Sequence, residues 1–592
     1  EDPMVFADTH ELVLRWLADN ALDGVRVDHI DGLRDPESYL RRLRDRAPAA
    51  WIVVEKILEP GEPTRSSWPV EGTTGYDFLN RIAGLFVDPA AEEPLTRLYV
   101  EFTGESADFD AIAREKKDLV MREVLGSDLN RLTAMFLDIC EKHPRYRDYS
   151  RHDLHETLKA AVARLPVYRT YVRDSNGLLD SLDEDYIRDA LSAARRDRPD
   201  LDPELFDLLA DILTLRIEGS LEVELAMRFQ QFTGPVMAKA VEDTAFYCFQ
   251  RFVCLNEVGG DPSRFGGSID EFHRACAQTQ RQWPLTLLAT STHDTKRSED
   301  VRARLFTLSE IPARWAEAVR RWARMNDPHW RGRPADRNAE YLLYQTLVGA
   351  WPIEIERVIR YMEKAIREAK RRTSWTNPNA DYEAAVLDFT GAVLADREFT
   401  ADLAAFVEPI VEPGRINSLA QTLLKLAAPG VPDFYQGSEL WHFALVDPDN
   451  RGPVDYAVRR RLLRDLDEGS PETVMRRAAE GLPKLWLIRQ ALALRRSHPQ
   501  AFGPNGTFSP IVPTGSCSRH AIAFRRGDTV IAIAPRLVIA LSGDWRDTAI
   551  EIPRGEWVNA LTGDRIHGGR PVTLSSLMER FPVCLLSRED VR

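Results

Sequence analysis

Residues 23–58 constrain the fold more than any other stretch of this chain. "DGVRVDHIDGL" (23–33) opens with strand-like alternation at 24–28, and "AWIVVEKIL" (50–58) is a second apolar strand. Between them "DPESYLRRLRDRA" (35–47) has helical spacing, with Asp35 placed as the N-cap and Pro36 in the first turn. A strand–helix–strand run with short loops is a crossover between parallel neighbours. Parallel sheets are covered on both faces, so a layered α/β fold is expected. Charges inside such strands need a use. Side chains alternate faces along a strand, so Arg26 and Asp28 share one face in "GVRVDH", and Val53 and Glu55 share one in "WIVVEK". Two carboxylates are thereby predicted at the C-terminal ends of adjacent parallel strands. In a β/α barrel that rim is where active sites are built.

The rest of the chain extends this frame. A helix is expected over 8–20, leading straight into the first strand, and the sequence is expected to open in mid-domain. From about 91 to 250 long charged segments carry apolar residues every three or four positions, with sparse proline and glycine, which predicts a mostly helical insertion. "LTLLAT" (285–290) returns to strand character, and 310–405 is helical again. "SLAQTLLKLAAPGVPDFYQGSEL" (418–440) reads as a helix, a Pro-Gly break and a short strand. After 505 the pattern alternates with turn residues, as in "HAIAFRRGDTVIAIAPRL", which predicts a small antiparallel β domain. The expected boundaries are 1–90, 91–250, 251–504 and 505–592. A chain of 592 residues exceeds one core, consistent with several domains.

Composition narrows the partners. Acidic residues (92) outnumber Lys and Arg (78), a net charge of −14. Such a surface repels phosphate backbones and anionic lipids, so neither nucleic acid nor a membrane is expected as a partner, whereas a neutral substrate is compatible. Cys140, Cys248, Cys254, Cys276, Cys517 and Cys584 form no CxxC pair, which reads as reduced, buried thiols of a cytoplasmic protein. There is no apolar run long enough for a transmembrane helix, and "EDPMVFADTH" lacks the basic start of a signal peptide.

Paired carboxylates, one acid and one base, are what glycosidic bond cleavage requires. Arg26, on the face of Asp28, favours an ionised nucleophile there. Glu55 follows Trp51, Ile52, Val53 and Val54, whose desolvating effect suits a protonated general acid. Retaining chemistry would place the two carboxyls about 5–5.5 Å apart. A third element, "STHDTKRSEDVR" (291–302), sets His293 and Asp294 where a strand ends, suited to holding sugar hydroxyls and an oxocarbenium-like transition state. Taken singly, an Arg-x-Asp on a strand is usually an ion pair and a Glu at a strand end is usually solvated; their combination and order along the chain favour the catalytic reading.

"GVRVDHIDG", "VVEKIL" and "THDTKRSED" resemble three sequence blocks of the α-amylase superfamily of retaining glycosidases, glycoside hydrolase family 13. The resemblance implies a (β/α)8 TIM-type barrel with Asp28 as nucleophile, Glu55 as acid/base and Asp294 as the transition-state aspartate. It also implies substrate contacts for Arg26, His29 and His293. "GTTGYDFLN" (72–80), "LPVYRTYV" (165–172), "GPVMAKAVEDTAFY" (234–247), "LNEVGGDP" (255–262) and "PGVPDFYQGSELW" (429–441) resemble the maltooligosyltrehalose synthase branch. That branch implies intramolecular transglucosylation of a maltooligosaccharide or linear α-glucan, from a reducing-end α-1,4 bond to an α,α-1,1 bond. It implies no metal or organic cofactor, and a trehalose-releasing hydrolase acting next. Lys239 and Lys296 become candidates for gripping sugar hydroxyls, and Tyr247 and Trp441 for stacking on sugar rings or for core packing. The helical insertion is a candidate cover that excludes water. The superfamily block near the third barrel strand has no counterpart before Asp28, so the first strands of the barrel are expected to be absent from this sequence. Two alternatives stay open: an α-amylase-type hydrolase or 4-α-glucanotransferase, and a non-catalytic glucan-binding fragment.

Overall fold

The structure is a computed structural model that describes residues 2–173, 180–217 and 219–589. It divides into two compact units, residues 1–74 with 108–249, and residues 75–107 with 250–592.

The first unit begins with helix α1 (Pro3–Ala18), longer at its start than the spacing at 8–20 suggests. Asp2 extends it by accepting from the Met4 amide at 2.7 Å, and Pro3 is preset for the first turn. Strand β1 (Gly24–Val27), helix α2 (Pro36–Arg46), strand β2 (Trp51–Val54) and the short β3 (Gly72–Thr73) follow. Asp35 caps α2, accepting from Ser38 N at 3.0 Å. The sheet has the order β1-β2-β3, and both pairings are parallel. Gly24 lies opposite Trp51, where a Cβ would meet the Trp51 carbonyl oxygen at 2.1 Å, so only glycine allows this approach. The register matches Arg26 with Val53 and Val27 with Val54.

The remainder of this unit is helical. Helices Phe109–Glu123, Gly126–Lys142, Arg151–Arg164, Ser181–Asp197, Pro203–Leu213 and Ser220–Met237 bury Phe136, Leu154, Leu158, Leu205, Leu209 and Leu225 in one core. Their starts are written in the sequence: Asp108 caps the first, Ser150 and Asp153 form a capping box, and Asp202 precedes Pro203. The last helix continues into a π-helix, Ala238–Ala245. Such wide turns are rare and concentrate at functional sites.

In the second unit, strand β4 (Leu287–Leu288) pairs in parallel with β5 (Val431–Pro432). The ladder is shorter than "LTLLAT" suggests: Val431 N donates to Thr286 O at 2.8 Å and Asp433 N to Leu288 O at 3.0 Å, and the pairing spans two residues. Helix Arg397–Ala427 packs against β5 and against helix Leu482–Ser497. The C-terminal region is antiparallel, as its alternation predicts. Strands β6 (Phe508–Ile511), β7 (Ala521–Arg526), β8 (Val530–Pro535), β10 (Glu556–Asn559), β11 (Arg565–His567) and β13 (Cys584–Arg588) form a sheet of order β11-β10-β13-β8-β7-β6. β9 (Ala549–Glu551) pairs with β12 (Pro571–Thr573). Ile531, Ile533, Trp557 and Leu586 fill the core of this region.

Among the described residues, no helix is long and apolar enough to cross a membrane, and no cluster of three or more His, Cys, Asp or Glu side chains could hold a metal ion. All six cysteines are buried and none forms a disulfide.

Candidate active site

In the first unit β1 ends at Val27 and β2 at Val54, so Asp28 and Glu55 stand one residue beyond their strands. The parallel pairing persists for that step: Glu55 N donates to Val27 O at 2.8 Å. Asp28 and Glu55 are therefore level on neighbouring chains. Arg26, two residues before Asp28, reaches both. Its Nη1 lies 2.8 Å from Asp28 Oδ1 and its Nη2 lies 3.7 Å from Glu55 Oε1. The Asp28 side chain is 67% exposed and that of Glu55 19%. An accessible carboxylate beside a partly sheltered one, both facing a guanidinium, is suited to nucleophile and acid/base roles.

His29 follows Asp28 in the left-handed region, with φ 46°. Its amide donates to Glu55 Oε2 at 2.7 Å, so the turn after one carboxylate holds the other. Gly32 lies under the His29 ring, where a Cβ would meet Cδ2 at 2.4 Å. Behind this turn Lys56 is buried, 3.0 Å from Glu62 Oε1 and 3.5 Å from Asp31 Oδ2. Lys239 lies in the π-helix, its half-exposed side chain paired with Asp243 at 2.8 Å. Tyr247 lies just beyond that segment and is buried.

In the second unit His293 and Asp294 pair with each other, Nε2 to Oδ2 at 3.1 Å. Thr292 Oγ1 accepts from the Asp294 amide at 3.1 Å. Arg451 Nη2 reaches Asp294 Oδ1 at 3.2 Å, and Asn450 donates to His293 O at 3.1 Å. The loop is fixed from below by Glu257, a buried carboxylate of the "LNEVGGDP" block. It accepts from the amides of Lys296 at 2.7 Å, Arg297 at 3.2 Å and Val258 at 3.0 Å. The Lys296 side chain is buried. The indole of Trp441 donates to Ala478 O at 2.6 Å.

Sequence reasoning singles out neither Arg451 nor Asn450, and it gives Glu257 no role. Arg451 and Asn450 lie in "VDPDNRG", where nothing in the local pattern points to a partner more than 150 residues away. Glu257 falls inside a quoted block, so its position carried a signal although its task did not.

Comparison with known proteins places the chain. No family model matches it. A candidate maltooligosyl trehalose synthase of Mycobacterium tuberculosis is 39% identical over 604 residues, an alignment covering the whole of this chain and 72% of the relative. The solved maltooligosyltrehalose synthase from Arthrobacter ramosus superposes with a TM-score of 0.88 at 36% identity, covering 99% of this chain and 73% of that one. A solved glycosyltrehalose synthase gives 0.80 at 34% identity, with 99% and 70% covered. Identity of this level over the entire sequence, with the same fold, means that the chain belongs to the maltooligosyltrehalose synthase family.

Proposed function

We infer that this chain carries out the intramolecular transglucosylation that makes trehalose-ended glucans from maltooligosaccharides. The observation that carries the chemistry is the pair of carboxylates at the ends of β1 and β2 with one guanidinium facing both. Asp28 attacks the anomeric carbon next to the reducing-end glucose, and Glu55 protonates the departing oxygen. The freed glucose turns over in place. Glu55, now ionised, takes the proton from its anomeric hydroxyl, which displaces Asp28 and closes the α,α-1,1 bond. Acid and base are one group used in two directions. Asp294, with His293 and Arg451 beside it, is the third acid of the family pattern and serves the oxocarbenium-like charge. Arg26 and His29 are assigned to the same substrate. Lys239, Lys296 and Tyr247 are assigned to sugar binding on resemblance alone.

The (β/α)8 barrel is part of this reading, supported by the parallel pairing within β1–β3 and, separately, of β4 with β5. So is a cytoplasmic location, supported by six buried cysteines that form no disulfide. A hydrolase that releases trehalose from the product is the class of enzyme expected to act next.

The test is a reducing-end assay on maltopentaose with chromatography of the products. Reducing ends should fall while the glucose content per chain stays constant. A rise would mean that water intercepts the intermediate and the chain is a hydrolase. Constant reducing ends with redistributed chain lengths would mean a 4-α-glucanotransferase, and binding without turnover a glucan-binding protein.

A further inference from the structure

We propose that Arg169, in the "LPVYRTYV" segment, is a positioning residue that sets the relation between Asp28 and Glu55 by gripping the turn between them. The proposal rests on the reading of these two residues as nucleophile and acid/base.

Arg169 is fully buried, yet its hydrogen bonds go to backbone carbonyls. Nη1 donates to Asp31 O and to Leu33 O, both at 2.6 Å, and Nη2 to Arg34 O at 3.4 Å. Nε is turned back to Thr170 O at 3.1 Å. Gln231 takes the carbonyl left between them, Gly32 O, at 2.9 Å. The carbonyls of residues 31–34 are thus held in sequence by side chains from 135 or more residues away. Asp31 itself is tied from two sides, by the Tyr171 hydroxyl and by Lys56 at 3.5 Å.

This turn is the lever for the site. It begins at His29, whose left-handed φ is uncommon for a residue with a side chain and persists only when its surroundings enforce it. With 31–34 held, the His29 amide is aimed at Glu55 Oε2. Were His29 to relax to a negative φ, either residues 30–34 would swing from Arg169 or the amide would swing from Glu55. Burying a guanidinium is costly, and neutral donors could satisfy a turn. The five-donor planar fork is suited to fixing several carbonyls in one rigid frame. The geometry therefore makes a segment of the helical region a part of the acid/base apparatus, acting through the backbone.

The experiment compares wild type with R169K and Q231L on maltopentaose. R169K keeps the charge and loses the fork. Its kcat should fall about tenfold to a hundredfold, as for loss of charge-assisted hydrogen bonds, with KM within about threefold. A donor to the ionised Glu55 carboxylate is lost, so the alkaline limb of the kcat profile should move to higher pH by about half a unit or more. Q231L should move both quantities in the same direction by a smaller amount, and it decides the matter if R169K does not fold. Active sites are counted by covalent trapping with a 5-fluoroglucosyl fluoride. A lower active fraction with an unmoved alkaline limb, or wild-type kcat in R169K, overturns the positioning role. Trapping of wild type at a residue other than Asp28 overturns the reading of the site and the proposal with it.

Discussion

Lys484→Met should be among the most damaging single changes available in the second unit, and its cost can be worked from the contacts. The Lys484 ammonium is fully buried, 2.6 Å from Glu299 Oε1 and 2.9 Å from Asp300 Oδ2. Lys425 supplies the other positive charge, 3.5 Å from Glu299 Oε2. Two carboxylates thus face two ammoniums, and the substitution leaves one buried negative charge unbalanced. At an effective dielectric of 20 each short contact is worth about 6 kcal/mol, from which the ammonium's own desolvation must be subtracted. A net loss of about 3–5 kcal/mol follows, the usual cost of breaking a buried pair from one side. The denaturant midpoint at constant slope is the measure. The pH dependence is a second check. Burial pushes the Glu299 carboxyl up, but Lys425 and Lys484 overcome this and hold it well below the usual range. A depressed carboxylate stabilises above its unfolded pKa and loses that only as pH falls through the folded value, so wild type draws its full benefit at pH 5.5 and at pH 8. In the variant the carboxylates rise, a proton restores balance, and the deficit should shrink from pH 8 to pH 5.5. The double variant E299Q/K484M, with Lys425 and Asp300 still in balance, should cost less than K484M alone. A loss below about 1 kcal/mol, or one independent of pH, would refute the charge argument. Glu299 and Asp300 close the block that carries His293 and Asp294, so turnover should fall with stability.

Other outcomes follow from the same geometry. D28N should lower turnover at least about a thousandfold yet change stability by less than about 1 kcal/mol, since its ion pair with Arg26 is largely exposed; near-wild-type turnover would remove Asp28 as nucleophile. E55Q can neither give nor take the proton, so activity should drop about 10²–10⁴-fold, and an unchanged pH–rate profile would exclude its role. His273, packed against Phe272, Phe508 and Phe524, is held down to about 4 by burial. A base depressed on folding stabilises above its unfolded pKa near 6.5 and loses that benefit as pH falls toward 4. H273L should lack up to about 3 kcal/mol of this acid-side loss, and parallel denaturation curves at pH 7.5 and 4.5 would contradict it.

The parts of this protein legible from sequence are those that depend on neighbours along the chain. Asp35 before Pro36 marks a helix start wherever the chain goes, and the alternation in "GVRVDH" and "WIVVEK" places Asp28 and Glu55 before any partner strand is known. The π-helix at 238–245 was not legible, because its residue types suit an ordinary helix and the extra residue per turn is decided by what packs against it. The short β4 departs from its expected length for a related reason: strand length depends on the partner, and here the partner pairs over two residues.

The same division holds at the site. The sequence alone determined that the candidate carboxylates Asp28 and Glu55 stand at strand ends, since that placement is a property of residue type and period. Tertiary structure alone decided how they are held. That Arg26 reaches Glu55 across the sheet, that Glu257 gathers the amides of the Asp294 loop, and that Arg169 grips the turn after Asp28 are contacts between residues tens to more than a hundred positions apart. Hydrogen bonds act over about 3 Å, and no pattern along a chain reports which distant groups folding will bring within that reach.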